Sequence, residues 1–380
     1  MMPILLALPW IGIIVFLLFF PRPAKSLPVA AVLDQKNAPS VSVIIPARNE
    51  AINIEACLDS ITKSSYPNFE IIVVNDRSED ETATLARSMS HGNAKSLIVI
   101  DGEELPEGWL GKPWACYQGA RATSSQLLLF TDADTKHGND LLSRSVLGIQ
   151  EEEADLLNVI GFQLMESFWE CLVQPQIFLM ILFYFPNLEQ SAQSNRWRDA
   201  VANGQFIMMQ RASYEAIGGH ESVRDRVIED VALAQLVKRS GGILAIRLAM
   251  DDLTTRMYRS LSGLIAGWSR LFRMGAIQGQ ALLPSLKMVA LMSIFLWIMP
   301  PVMLISALSG LGGMILLNWS LLVCGISIFI HITFLYLLGG PVLYAVFYPL
   351  GSLMLVYIMI IASVSVREVE WKGRKYEVSD

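Results

Sequence analysis

An α/β fold with a doubly wound sheet, held between membrane segments, is the class this sequence predicts. Three observations carry that expectation. Short β-branched runs alternate with helix-periodic segments across residues 40–255, the pattern of strand–helix–strand units. Carboxylates close two of those runs, at Asp76 and at Asp132-Ala133-Asp134, where open α/β sheets bind ligands. Finally, no Asp, Glu, Lys or Arg occurs between Lys287 and Arg367, and His331 is the one histidine there. A charge-free run of that length belongs in a bilayer, since one span needs about 20 apolar residues.

The elements follow in chain order. "PILLALPWIGIIVFLLFF" (3–20) lacks a basic start and a small-residue cleavage site, so residues 1–21 read as a retained membrane helix. Residues 22–39 are a Pro-rich linker whose Arg22 and Lys25 favour the cytoplasmic side. "VSVIIP" (41–46) is a buried strand, followed by a helix with Ile54, Leu58 and Ile61 at helical spacing. "FEIIVVND" (69–76) is a second strand; the next helix is expected to start at Ser78 as N-cap, with Glu81 completing a capping box. "SLIVID" (96–101), the helical "KPWACYQGARAT" and the strand "QLLLFTDAD" complete the alternation, which implies parallel pairing. "SFWECLVQPQIFLMILFYFP" (167–186) contains Glu170 and Pro175 and is short for a span, so it reads as an interfacial or re-entrant helix. A helix carrying Val231, Leu233 and Leu236 stops at Lys238-Arg239 and Gly241-Gly242.

Beyond the 40–255 domain, residues 256–284 hold a basic amphipathic helix: Leu261, Leu264, Ile265, Trp268 and Phe272 at helical spacing, flanked by Arg256, Arg259, Arg270 and Arg273. Such a helix suits a membrane surface, or else packs on the domain. Breaks at "SGLGG" (309–313) and "GGP" (339–341) divide residues 285–366 most simply into three spans, and residues 367–380 form a tail basic enough to prefer the cytoplasm. An anchor plus three spans places that tail opposite the domain, so two, three or four crossings stay open.

Composition narrows the function classes. The chain has 380 residues, 53% hydrophobic and 17% charged, against about 25% charged in soluble domains. A net charge of −6 argues against a nucleic-acid partner. Four scattered cysteines without a C-x-x-C pair favour free thiols over a disulfide frame or zinc site.

The chemistry rests on three acidic clusters: Asp76, Asp132 with Asp134, and Glu229-Asp230. Each has a plain structural reading as well. A lone D-x-D can be a polar turn, Asp76 can cap one, and Glu229-Asp230 can simply suit a helix N-terminus. Lys112 alone is most often a surface charge, and Trp109 and Trp114 can be core aromatics. Taken together, the clusters match what moving a sugar from a nucleoside diphosphate requires. A carboxylate grips the base, others hold the ribose and a divalent cation (Mg2+ or Mn2+) on the diphosphate, and one deprotonates an acceptor hydroxyl. Asp76, Asp132, Asp134 and Asp230 can fill these roles, with Lys112 adding charge near the nucleotide. The isolated His91, His137 and His220 are given no metal role.

The order "VSVIIPARNE", "IIVVNDRSEDET", "GKPWACYQGA", "LLLFTDAD", "IGGH", "VIEDVALAQLVKRSGG" resembles the inverting family-2 glycosyltransferases of the GT-A fold, over about residues 40–275. "GWLGKPWACYQG", "ESFWE" and "VEWKGRKY" look like a membrane subgroup that includes carotenoid (staphyloxanthin-type) and hopene-associated glycosyltransferases. The resemblance implies a GT-A-like mixed sheet and a UDP-sugar donor. It also implies a lipid acceptor and a catalytic domain facing the cytosol. Asp76 would then bind the base and Asp132 would lie by the nucleotide. Asp134 would meet the metal, and Asp230, beside Glu229, would be the general base. Pro46, Arg48 and Glu50 of "VSVIIPARNE" join Lys112 in the nucleotide-sugar set. One departure stands out. Processive members carry a Q-x-x-R-W-like motif before the C-terminal spans, and here the stretch reads "LIAGW" (264–268), keeping only Trp268. That weakens a processive polysaccharide synthase as the alternative, leaving Arg270 or Arg273 as substitute diphosphate contacts. The intact acidic pairs weigh against a non-catalytic membrane scaffold.

Overall fold

Strand β1 (Val41–Ala47) is the pivot of the architecture. The computed structural model describes residues 2–19, 24–29, 38–277, 286–364, 368–371 and 374–377, so most of the linker, residues 278–285 and parts of the tail lie outside the described residues. The chain leaves β1 for β2 (Phe69–Asn75) and β3 (Leu97–Asp101), then crosses back to β4 (Leu127–Thr131) on the other side of β1. β5 (Thr135–His137), β6 (Leu156–Ile160), β7 (Phe162–Gln163), β8 (Phe206–Gln210), β9 (Leu244–Leu248) and β10 (Leu253–Thr255) follow. The main sheet runs β3-β2-β1-β4-β8-β6-β9, and a small one runs β5-β10-β7. Because the order reverses between β1 and β4, a crevice opens there at the strands' carboxyl ends.

Side-chain alternation builds two cores. Val43, Ile45, Val73 and Leu129 bury one face; Ile44, Leu128, Phe130 and Ile207 bury the other. The helix Ile54–Thr62 covers the first through Ile54, Leu58 and Ile61. The helix Gly111–Arg121 covers the second, and Gly119 has no room for a Cβ against Ile44. The alternating strands β3, β2, β1 and β4 pair in parallel, and β8 runs antiparallel to both β4 and β6, because the long 161–205 excursion returns the chain from the opposite end, so the sheet is mixed as expected. One expectation needs correction. Ser78 does not cap a helix; its hydroxyl accepts from Asn49 N (3.1 Å), and the helix starts at Thr82, whose N–H is met by Asp80 at 3.0 Å.

Among the described residues, three helices are long and apolar enough to cross a membrane: Leu286–Leu308, Gly313–Leu337 and Val342–Val364. The N-terminal helix Leu8–Phe19 packs on them. Trp10 sits edge-on to Trp319, and its indole N–H donates to Leu296 O at 2.8 Å. The helix Phe168–Tyr184 carries ten buried residues, and Gln176 accepts from Ser352 Oγ at 3.2 Å. It is thus enclosed by the C-terminal helices, where an interfacial helix would show one free apolar face. Its first turn holds a capping box, Ser167 with Glu170, and Arg256 pairs with Glu170 (2.9 Å) and Glu166 (2.5 Å).

The helix Leu261–Ile277 packs on the protein along one face. Leu264, Trp268 and Phe272 pack against Leu172, Val173 and Ile358, while its opposite face looks into the crevice. Arg256 and Arg259 are spent on protein contacts, the latter donating to Asn53 Oδ1 at 2.9 Å. The first part of the linker also has a job. Ser26 bridges Leu248 in parallel, Leu27 N donates to Leu248 O (3.0 Å) and Arg144 donates to Pro28 O (2.8 Å), so residues 25–28 strap the β9 edge. In the tail, β11 (Glu368–Trp371) and β12 (Arg374–Glu377) form an antiparallel pair.

Candidate active site

A cavity of about 540 Å³ occupies the crevice at the switch point. It gathers Pro46, Arg48 and Glu50 from beyond β1, Lys112 from a helix start, Asp132 and Asp134 from beyond β4, and Glu229 and Asp230 from another helix start. Met257, Tyr258, Ala266, Gly267 and Arg270 close it from the side of the membrane helices. Nine of the twelve sequence-predicted residues therefore line one space: Pro46, Arg48, Glu50, Lys112, Asp132, Asp134, Glu229, Asp230 and Arg270. Asp76, Trp268 and Arg273 are not among its lining. Trp268 is buried between Tyr258 and Phe272, on the face turned toward the membrane helices.

Lys112 organises the charges. Its ammonium lies 2.7 Å from Asp132 Oδ1 and 2.8 Å from Glu229 Oε1, bridging carboxylates that arrive from two distant segments. Burial alone would pull its pKa down, but Asp132, Glu229 and Asp230 hold it well above the ordinary lysine value. Asp230 behaves oppositely. Although it borders the cavity, surrounding protein desolvates its carboxyl, and that burial together with the charge of Glu229 pushes its pKa up to about 7. Lys112 and two backbone donors, Gly204 N (2.7 Å) and Val231 N (2.8 Å), oppose the rise. A carboxyl poised there can take up a proton near neutral pH.

The loops are pre-shaped. Asn49 (φ 52°) and Arg77 (φ 53°) adopt left-handed backbone, and Asn49 Oδ1 accepts from Glu79 N at 2.9 Å, clasping the loops after β1 and β2. Arg48 is buried and donates to the carbonyls of Asp76 and Arg77, each at 2.8 Å, so it supports the second loop as well as lining the cavity. Asp76 is buried just beside a neighbouring recess of about 450 Å³ lined by Arg48, Arg77, Glu79, Glu104 and Leu105. Beneath Asp132-Ala133-Asp134, Thr135 Oγ1 donates to Asp132 O (2.8 Å) and Thr131 Oγ1 to Gln205 O (2.7 Å). His137 bridges both hydroxyls at 3.1 Å, and burial pushes its pKa down to about 3.

Sequence reasoning missed the turn Asn203-Gly204-Gln205. A Cβ on Gly204 would come within 2.7 Å of Lys112 Nζ, so only glycine lets the lysine sit against this backbone. Asn158, 1% exposed, holds the turn through Asn203 O (2.7 Å) and Phe206 O (3.0 Å). The Asn-Gly pair before a buried strand was the available signal.

Among the described residues, no group of three His, Cys, Asp or Glu side chains is arranged to hold a metal ion by itself. The donor set still suits a hard cation that keeps waters and substrate phosphates in its shell and takes only one or two protein carboxylates. Asp134 lines the cavity with the carboxylate chemistry such an ion takes, while Asp132 is engaged by Lys112.

Comparison with known proteins follows this geometry. Residues 42–218 match the family model described as Glycosyl transferase family 2. The 4,4'-diaponeurosporenoate glycosyltransferase of Staphylococcus aureus (strain USA300) is 30% identical over 244 residues, covering 63% of this chain and 62% of that protein. The enzyme of the same name from Staphylococcus haemolyticus is 27% identical over 63% of each chain. The alignments thus span less than two thirds of these relatives. Among solved structures, a mannosyltransferase from Pyrobaculum calidifontis, in complex with GDP-Man and Mn2+, superposes with a TM-score of 0.51 at 16% identity. That likeness covers 95% of this chain and 93% of the other, and it shows a shared GT-A-like architecture. From strand β1 to the turn after the helix Arg211–Ala216, the chain is thus similar to the glycosyl transferase family 2 domain.

Proposed function

We propose that the protein transfers a single sugar from a nucleotide sugar, a UDP-sugar by resemblance, to a membrane lipid of carotenoid type, inverting the anomeric centre in one displacement. The observation that carries this reading is the cavity itself. It sets Lys112, the Asp132/Asp134 pair and the Glu229/Asp230 pair at the sheet's switch point, and one wall is a helix packed on membrane-length helices. The staphylococcal relatives are named for a carotenoid acid acceptor, which suits an apolar wall beside a charged floor.

In this reading Asp76 and the Arg48 loop hold the base, while Lys112 and Asp132 sit by the nucleotide. Asp134 would hold a divalent cation, Mg2+ or Mn2+, which when bound neutralises charge on the diphosphate. Asp230 accepts the proton of a hydroxyl acceptor as its oxygen attacks the anomeric carbon; a carboxylate acceptor arrives already ionised and asks less of it. Arg270 takes the cationic place beside the diphosphate. The domain (40–255) faces the cytosol at the inner membrane, with the N-terminal helix, the 256–284 region and the 285–366 helices keeping it at the bilayer. No nucleic acid takes part.

The test is incubation of membranes containing the protein with several UDP-sugars and a carotenoid acid, followed by mass spectrometry of the lipid extract. A single-sugar glycolipid is expected, dependent on Asp134 and a divalent cation. A long polymer, or no sugar-bearing lipid with any donor, overturns the reading.

A further inference from the structure

Resting on the glycosyl-transfer reading above, we propose that Tyr258 is a substrate contact whose phenol donates a hydrogen bond to the leaving diphosphate. Tyr258 follows β10 and precedes the helix Leu261–Ile277, so it belongs to the connection between the domain and the membrane-facing helices. Its side chain lines the cavity. The ring lies directly on the backbone of Gly267, where an added Cβ would collide with ring atoms and the hydroxyl. Trp268 flanks it, with ring centroids 6.0 Å apart. Packing on two sides thus fixes the ring at the cavity wall.

The charges acting on the phenol are Asp134, the candidate metal ligand, and Arg270. A neutral donor set between a cation-binding carboxylate and a guanidinium faces the place where a polyanion sits, and the diphosphate is the polyanion of the proposed reaction. Burial pushes the tyrosine pKa up to about 12, so the O–H stays protonated through the working range. In the displacement, the acceptor oxygen bonds to the anomeric carbon as the bond to the diphosphate oxygen breaks, and the electron pair leaves with that oxygen. Tyr258 keeps its proton and strengthens its hydrogen bond as charge grows there, the selective stabilisation that speeds the step. The small residues Gly267 and Ala266 serve this placement, because a larger side chain at 267 would drive the ring into the cavity.

The experiment is Tyr258→Phe in the full chain, which keeps the packing on Gly267 and removes only the hydroxyl. Binding of UDP and of GDP in the presence of Mn2+, and of uridine and guanosine, is measured by calorimetry or competition. The expected result is a loss of about tenfold or more in nucleoside diphosphate affinity, with nucleoside affinity unchanged, since hydrogen bonds to charged groups are the strong ones. The kcat/KM for transfer falls at least as far. Unchanged diphosphate affinity and transfer, or an equal loss for diphosphate and nucleoside, overturns the assignment while leaving the glycosyltransferase reading intact. A wild type that binds neither diphosphate overturns both.

Discussion

Replacing Asp230 by Asn should make the fold more stable above neutral pH while abolishing transfer to a hydroxyl acceptor. The folded-state pKa of Asp230, about 7, lies above its ordinary 3.8, so the folded protein binds the extra proton more tightly. Stability contributed at this site is therefore present in acid and lost as pH rises from about 4 to about 7. The rise corresponds to about 4 kcal/mol at about 1.4 kcal/mol per tenfold change in proton affinity. Asn lacks the charge, but its single amide oxygen cannot serve both Gly204 N and Val231 N as well as the carboxylate does, a loss of about 1–2 kcal/mol. A net gain of about 2–3 kcal/mol at about pH 8 corresponds to a melting temperature higher by about 4–10 °C, with little or no gain near pH 4. Differential scanning fluorimetry of both proteins across pH measures this. Calorimetry with UDP and Mn2+ should find donor binding retained in Asp230→Asn while the glycolipid assay with a hydroxyl acceptor finds no product. A variant less stable at pH 8, or one with the same change in melting temperature at both pH values, refutes the account of the desolvated carboxyl. Transfer to that acceptor at near wild-type rate refutes its role as base.

Asp134→Asn should lose Mn2+-dependent UDP binding while keeping its melting temperature within a few degrees, because a cavity-facing carboxylate contributes little packing; calorimetry with and without metal checks this. Gly204→Ala places a Cβ 2.7 Å from Lys112 Nζ, so it should displace the lysine, cost about 1–3 kcal/mol and lower transfer, read by thermal melts and product formation. Arg256→Met strands Glu170, 1% exposed, without its partner and should cost about 3 kcal/mol in thermal stability. Adding Glu170→Gln to it should recover part of that loss.

The sheet and the charged floor of the site were legible because they rest on local patterns. Short apolar runs bounded by polar residues mark β1, β2 and β4, and in a doubly wound order their ends converge, which brings Asp132, Asp134 and Lys112 together. Less legible was whatever depends on what packs against an element. The helix Phe168–Tyr184 looks interfacial by length and composition, and only the C-terminal helices around Gln176 explain its burial. The helix Leu261–Ile277 presents arginines at the spacing of a membrane-surface helix. Of the arginines in it and just before it, Arg256 is taken by Glu166 and Glu170, and Arg270 faces the cavity. Gly204 was invisible for another reason. Its importance lies in the absence of a side chain at a spot that Lys112, 92 positions earlier in the chain, comes to occupy.

The strap across β9 has a practical meaning for anyone wishing to study the domain alone. A chain trimmed to begin at Ser40 would keep every cavity residue yet strip Lys25 and Leu27 from the outermost strand. Leu248 would then present an unpaired N–H and C=O, an open edge of the kind that recruits other chains. Arg144 would lose its carbonyl acceptors at Leu27 and Pro28, and the Gly148 face that Leu27 covers would be uncovered. Such a fragment should associate with itself even with its fold intact, whereas a chain cut before Ala24 keeps the seal. The stretch that looks like a tether between membrane and enzyme is thus the last strand-like layer of the enzyme.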